Sequence, residues 1–112
     1  MGIEIYKNSD MYIGEFEDDK KNGIGIYFFQ KGGYYYGNFN KDDRCGLGSL
    51  FNYNNNKLYF GHWKNDKYEG RGMEWYLNGS WYDGYFLNGK RHGVGIMEYS
   101  ENLNYIGEWV SG

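Results

Sequence analysis

Proline, alanine and threonine do not occur in this 112-residue sequence, and cysteine occurs once, at Cys45. A lone cysteine excludes an internal disulfide and a cysteine-built metal cage. It fits a reducing compartment, and the expectation is a cytoplasmic protein. No apolar run approaches the roughly 18 residues of a membrane-spanning helix. The opening MGIEIYKNSD has neither the basic region nor the apolar core of a signal peptide. Tyr6 stands where a myristoylation signal needs Ser or Thr. Positive charge is also scarce: 12 Lys and Arg against 15 Asp and Glu leave a net charge of −3. That argues against a nucleic-acid-coating protein. Only two histidines, His62 and His92, and five serines are available for catalysis. They form no nucleophile–base pattern and no metal-ligand spacing, so no catalytic residue, metal or cofactor is expected.

What the chain does have is 19 glycines and 25 aromatics: 14 Tyr, 7 Phe and 4 Trp. A flexible glycine linker lacks large apolar side chains, so this is not one. The abundance of Asn, Lys, Tyr and Ile suits an A/T-rich coding sequence. Glycine codons run against that bias, which implies that the glycines are needed.

They fall in a repeat. Tyr12-Ile13-Gly14-Glu15-Phe16 recurs as Tyr35-Tyr36-Gly37-Asn38-Phe39, Tyr59-Phe60-Gly61-His62-Trp63, Tyr82-Asp83-Gly84-Tyr85-Phe86 and Tyr105-Ile106-Gly107-Glu108-Trp109. The spacings are 23, 24, 23 and 23 residues, and the extra residue falls in the Asn-rich stretch 52–57. Nine residues after each of the first four glycines stands a Gly-x-Gly: Gly23 and Gly25, Gly46 and Gly48, Gly70 and Gly72, Gly93 and Gly95. A fixed period of this length marks a repeat architecture. The reading is one domain, 1–112: a half repeat 2–11, repeats 12–34, 35–58, 59–81 and 82–104, and a half repeat 105–112.

Alternation in Tyr-x-Gly-x-Phe/Trp has period two, the signature of a strand. The second signature alternates likewise: Gly25, Tyr27, Phe29. The six residues between, EDDKKN, NKDDRC, KNDKYE and LNGKRH, read as turns. The expected fold is all-β: an elongated, twisted, single-layer antiparallel sheet of stacked hairpins with about ten short strands. Glycine normally weakens a strand. Here it lets a ring lie over a neighbouring strand where no Cβ intrudes. One hairpin cannot stand alone, so neighbours must share rings and stability is nearest-neighbour in character.

Residues 84–90 also fit G-x-x-x-x-G-K, the start of a phosphate-binding loop. That motif needs Ser or Thr after Lys, then a helix. Arg91 follows instead, and GVGIMEY reads as a strand, so the match arises from the repeat. Two surfaces remain. The within-repeat turns align Lys20, Lys21, Arg44, Lys67, Lys90 and Arg91 in a basic column, diluted by Asp18, Asp19, Asp42, Asp43 and Asp66. The second sheet face carries Tyr36, Phe60, Tyr85, Phe28, Phe51, Met73 and Trp75, with several Ile, Leu and Val, and is too apolar for a free surface. It packs on itself or a dimer mate, or it forms a groove for a partner. The sequence does not separate these.

The pattern Tyr-x-Gly-x-Trp/Phe with Gly-x-Gly nine residues on resembles the MORN repeat (membrane occupation and recognition nexus). "NGKRHGVGIMEYSENLNYIGEW" is similar to a consensus copy. Asp43 and Arg44-Cys45 depart from the usual Lys-x-His before Gly46, and Asn52 with Tyr53 disturbs the ring register of repeat 2. The resemblance implies hairpin repeats in a curved sheet. It also implies roles in protein assembly, in cytoskeletal and ciliary scaffolds, in junctional membrane proteins and beside lipid-kinase or methyltransferase domains. Phospholipid binding has been proposed for some members. The leading expectation is a non-enzymatic module that binds a protein partner through its apolar face, or dimerises through that face or its terminal strands. The alternative is weak membrane association through the basic column.

Overall fold

The computed structural model describes residues 1–99 and 104–110. Ten strands follow in chain order: β1 Gly2–Ile5, β2 Met11–Glu17, β3 Lys20–Phe28, β4 Gly33–Asn40, β5 Asp43–Asn52, β6 Lys57–Lys64, β7 Lys67–Tyr76, β8 Trp81–Leu87, β9 Lys90–Glu98 and β10 Asn104–Trp109. Each pairs antiparallel with the next, so spatial order equals chain order in one open sheet of 46 × 23 × 18 Å. This is the expected stack of hairpins. The fourth link, SENLN, falls mostly on residues 100–103, outside the described residues, as do the last two residues of the half repeat 105–112.

The six-residue turns are a correction. Each turn within a repeat takes only two residues: Asp18-Asp19, Lys41-Asp42, Asn65-Asp66 and Asn88-Gly89. All eight have positive φ, from 47° to 83°. That is the pattern of a type I′ turn, whose twist matches the flanking strands. Only Asn88-Gly89 is the pair this turn favours. Lys20, Lys21, Arg44, Lys67, Lys90 and Arg91 are therefore strand residues, not turn residues.

Every hairpin that closes on such a turn carries a bulge. Between β2 and β3 the register passes from Gly14↔Gly25 to Phe16↔Lys21, so Glu15 alone faces Asn22, Gly23 and Ile24. The same shift follows Gly37, Gly61 and Gly84. At its centre is the first glycine of each Gly-x-Gly, and Gly23 has φ +94° there. The bulge leaves one carbonyl of the first strand without a ladder partner, and the motif tyrosine caps it. Tyr12 Oη donates to Glu15 O at 2.8 Å, Tyr35 to Asn38 O at 2.9 Å, Tyr59 to His62 O at 2.7 Å and Tyr82 to Tyr85 O at 3.0 Å.

The other motif glycines form one line. Gly2, Gly14, Gly25, Gly37, Gly48, Gly61, Gly72, Gly84, Gly95 and Gly107 stand in register, each opposite the next. Over this strip lie the fully buried Tyr12, Tyr35, Tyr59 and Tyr82. A Cβ on Gly25 would collide with the Tyr12 ring, and one on Gly72 with the Tyr59 ring. Between the tyrosines stand the motif Phe and Trp rings. The order is Phe16, Tyr12, Phe39, Tyr35, Trp63, Tyr59, Phe86, Tyr82, Trp109, Tyr105. Every successive pair is edge-to-face, with centroids 4.8 to 5.3 Å apart. Each such pair adds about 0.5–1.5 kcal/mol beyond its buried area. Tyr12, Tyr35, Tyr59 and Tyr82 each touch their own Phe or Trp and that of a neighbouring repeat, so the core is coupled from unit to unit.

Candidate functional site: two faces of one sheet

With the turns shortened, the basic column splits by strand alternation. Lys20, Lys67 and Lys90 are exposed at the strand starts. Lys21, Arg44 and Arg91 point to the ring face, where Tyr68 takes the equivalent place in repeat 3. Lys21 Nζ lies 5.4 to 5.8 Å from the centroids of Tyr6, Tyr12, Tyr27 and Phe39. Arg44 lies 4.6 Å over Trp63, and Arg91 5.9 Å over Tyr82. Tyr68 instead stacks flat on Tyr59 at 3.7 Å. The column is thus partly a lid on the aromatic core.

Two of these cations are clipped by the next turn. Asp42 N–H donates to Lys21 O at 2.9 Å, and Lys21 N–H returns a bond to Asp42 Oδ1 at 2.8 Å. Lys21 Nζ lies 3.3 Å from the same oxygen. Asp66 and Arg44 repeat the arrangement, with Arg44 Nε 2.6 Å from Asp66 Oδ1. At the third step Gly89 N–H donates to Tyr68 O, with no carboxylate.

Burial raises the Asp42 and Asp66 carboxyl pKa values, but hydrogen bonds and charge from Lys21 and Arg44 outweigh it and hold both below 3.8. Asp10 is also lowered, chiefly by the Gln30 N–H and then, against burial, by Tyr27 Oη and the Asn8 amide. Tyr27 is pushed up to about 12 by burial and its bond to Asp10. A carboxylate with a depressed folded pKa favours folding while ionised. That contribution is present above the ordinary carboxylate value and is lost as pH falls through the folded one. Urea midpoints are expected to hold from pH 7 to 5 and to fall below about pH 4. Asp66→Asn should flatten the fall. An unchanged acid limb in that variant would remove the clip from the account.

The opposite face has three apolar rows. The first is Ile5, Met11, Phe28, Tyr34, Phe51, Leu58, Trp75, Trp81, in register across eight strands. The second runs Ile3, Ile13, Ile26, Tyr36, Ser49, Phe60, Met73, Asp83, Ile96, Ile106. The third holds Ile24, Leu47, Tyr85 and Val94. Tyr36 is 54% exposed, Tyr85 50%, Phe60 45% and Trp75 37%. Phe28, Phe51 and Met73 are half-buried. The seven expected residues share this face: Phe28, Phe51 and Trp75 in the first row, Tyr36, Phe60 and Met73 in the second, Tyr85 in the third. Tyr34, Leu58 and Trp81 complete the first row and escape the sequence reading. Each stands one residue before the motif tyrosine, so extending the strand alternation upstream would find them. Arg71 crosses the face to Asp83, Nε to Oδ1 3.0 Å.

His62 is exposed on this second face, and His92 lies in the β9 bulge. Among the described residues no three His, Cys, Asp or Glu side chains converge as a metal site requires. The Cys45 thiol is pushed up by burial and then by Asp43. No helix among the described residues is long and apolar enough to cross a membrane. Gly89 and Lys90 sit at a hairpin tip and the start of a strand, where no helix follows to cradle phosphate.

A stack of hairpins with one face filled by its own rings and the other uncovered defines a repeat interaction module. The MORN repeat model matches residues 12–34, 35–57, 59–81 and 82–102. The chain belongs to the MORN repeat family, a repeat module often used in protein or membrane interactions. No curated protein matches it individually.

Proposed function

We propose that the protein is a non-enzymatic assembly module that holds a partner protein on its second sheet face. The observation that supports this is the uncovered apolar surface on that face, anchored by Tyr36, Phe60 and Trp75. A sheet buries an apolar face against a second layer. Here most of the ring face is covered by its own side chains, so the second face is where another layer fits. Extents of 46 × 23 Å give it roughly 1,000 Å², comparable to the ~800 Å² that each partner contributes to a standard interface. Half-exposed aromatic side chains in its middle suit the anchoring role that dominates such interfaces. The partner is a protein segment presenting an apolar stripe. The family resemblance suggests a cytoskeletal or ciliary setting.

Phe60→Asp and Tyr36→Asp are expected to leave the urea midpoint nearly unchanged, since both side chains are about half exposed. Both should abolish capture of the protein that the unmodified chain retains from its own cell extract. Capture undiminished in both variants sinks this reading. Loss of a dimer mass in light scattering would instead identify the partner as a second copy, through this face.

Lipid binding through the basic column is the weaker reading. Lys21 and Arg44 are already committed to Asp42 and Asp66, which leaves Lys20, Lys67 and Lys90 well exposed. Vesicles containing anionic phosphoinositide are expected not to float the protein at physiological salt. Flotation that disappears at high salt and in Lys90→Glu would favour the lipid reading.

A further inference from the structure

The ring face has one interruption, and it does not depend on the partner face above. Along the repeat, Tyr6, Phe29, Tyr76 and Tyr99 occupy one position, and Asn52 stands there in repeat 2. The neighbouring inward position varies from copy to copy, as Glu4, Tyr27, Leu50, Glu74 and Met97. An amide therefore stands where the other four copies carry a ring. The one aromatic of this link, Tyr53, turns the other way: it packs edge-on to Phe51 at 4.8 Å and over Gly32. Beside Asn52 lies a hollow of about 460 Å³, lined by Phe29, Leu50, Asn52, Asp10 and Arg44 among others, with Phe51 of the opposite face at its edge. That volume lies within the ~300–1,000 Å³ of ordinary ligand pockets.

Its chemistry specifies an occupant. Phe29 and Leu50 supply an apolar wall of the kind the herringbone presents to each of its rings. The charges balance. The Asp10 carboxylate already accepts from Gln30 N–H at 2.8 Å, Tyr27 Oη at 2.7 Å and the Asn8 amide at 3.1 Å. It is further offset by Lys31 across the rim. Arg44 is taken by Asp66. An ion gains nothing from such a lining, whereas a neutral ring with a polar tip meets rings below and side-chain amides at the rim. We propose that this hollow receives a tyrosine side chain from a peptide partner, which completes the ring column that Asn52 interrupts.

The probe is a capped Gly-Ser-Tyr-Ser-Gly peptide titrated into the full chain, with the Leu-for-Tyr peptide as control. Amide NMR shifts at Gly32, Leu50 and Asn52 are expected to saturate with the tyrosine peptide. The leucine peptide should bind at least tenfold more weakly. Asn52→Phe restores the column's own ring and is expected to abolish the shifts and raise the thermal midpoint. If that variant fails to fold, Leu50→Tyr fills the same space and should block binding equally. Phe60→Asp, on the opposite face, should bind the probe unchanged, which separates this site from the proposed partner face. Absence of saturable shifts, equal binding of the leucine peptide, or full binding in the folded filled variant would overturn the proposal.

Discussion

Gly61→Ala is expected to destabilise the protein by more than 3 kcal/mol, while Gly89→Ala costs about 1–2 kcal/mol. Both replace glycine in the same repeat family, yet the physics differs. A Cβ on Gly61 would stand 2.6 Å from Arg71 O and closer still to Gly72 Cα, both backbone atoms of the adjacent strand. It would also meet Tyr59 Oη at 2.7 Å. Backbone cannot step aside without breaking the β6–β7 ladder, so the cost passes the usual 1–3 kcal/mol of overpacking. At Gly89 nothing lies within 4 Å of a Cβ. Only its φ of +83° resists a side chain, at roughly 1–2 kcal/mol. Urea denaturation followed by fluorescence measures both. Equal losses at the two positions would mean that the glycine strip is not set by close approach.

The second large effect is at Tyr59. Tyr59→Ala should lose about 3–5 kcal/mol, the range for removing a fully buried large ring. The ring is completely buried, stacked on Tyr68 and met edge-on by Trp63 and Phe86. Tyr59→Phe keeps those contacts and loses only the bond to His62 O, about 1 kcal/mol. The motif tyrosine of the last strand gives the contrast. Tyr105 is 46% exposed, and its hydroxyl is 3.4 Å from Glu108 O. Tyr105→Ala is expected to cost under half as much as Tyr59→Ala. If the two variants unfold at the same urea concentration, the unit-to-unit coupling is wrong.

Much of this is legible in the sequence. Tyr-x-Gly-x-Phe/Trp in fixed phase with Gly-x-Gly gives the strands, the stack and the face on which Tyr12 and Gly14 lie. The pairing inside each hairpin was not readable. A constant nine-residue offset fixes phase but does not say that Asn22, Gly23 and Ile24 oppose Glu15 alone. The two-residue turns were hidden because Asp-Asp, Lys-Asp and Asn-Asp are not the pairs that usually mark them. That error carried Lys21 and Arg44 into a turn, when their own strands aim them at the rings. The second-face residues Tyr36, Phe60 and Trp75 follow from alternation. Tyr34, Leu58 and Trp81 were lost only because the strands start earlier than the motif. The hollow beside Asn52 showed in the sequence as a broken register. Its size depends on which way Tyr53 turns, and that is a property of the folded link.

The line of edge-to-face rings has an optical consequence. Trp63 touches Tyr35 and Tyr59, and Trp109 touches Tyr82 and Tyr105, with centroids about 5 Å apart at each step. Excitation of Tyr35, Tyr59, Tyr82 or Tyr105, each in ring contact with Trp63 or Trp109, is expected to pass to that indole before the phenol can emit. The native protein, despite 14 tyrosines and 4 tryptophans, should therefore glow as a tryptophan protein. The return of tyrosine emission then marks the moment the row comes apart.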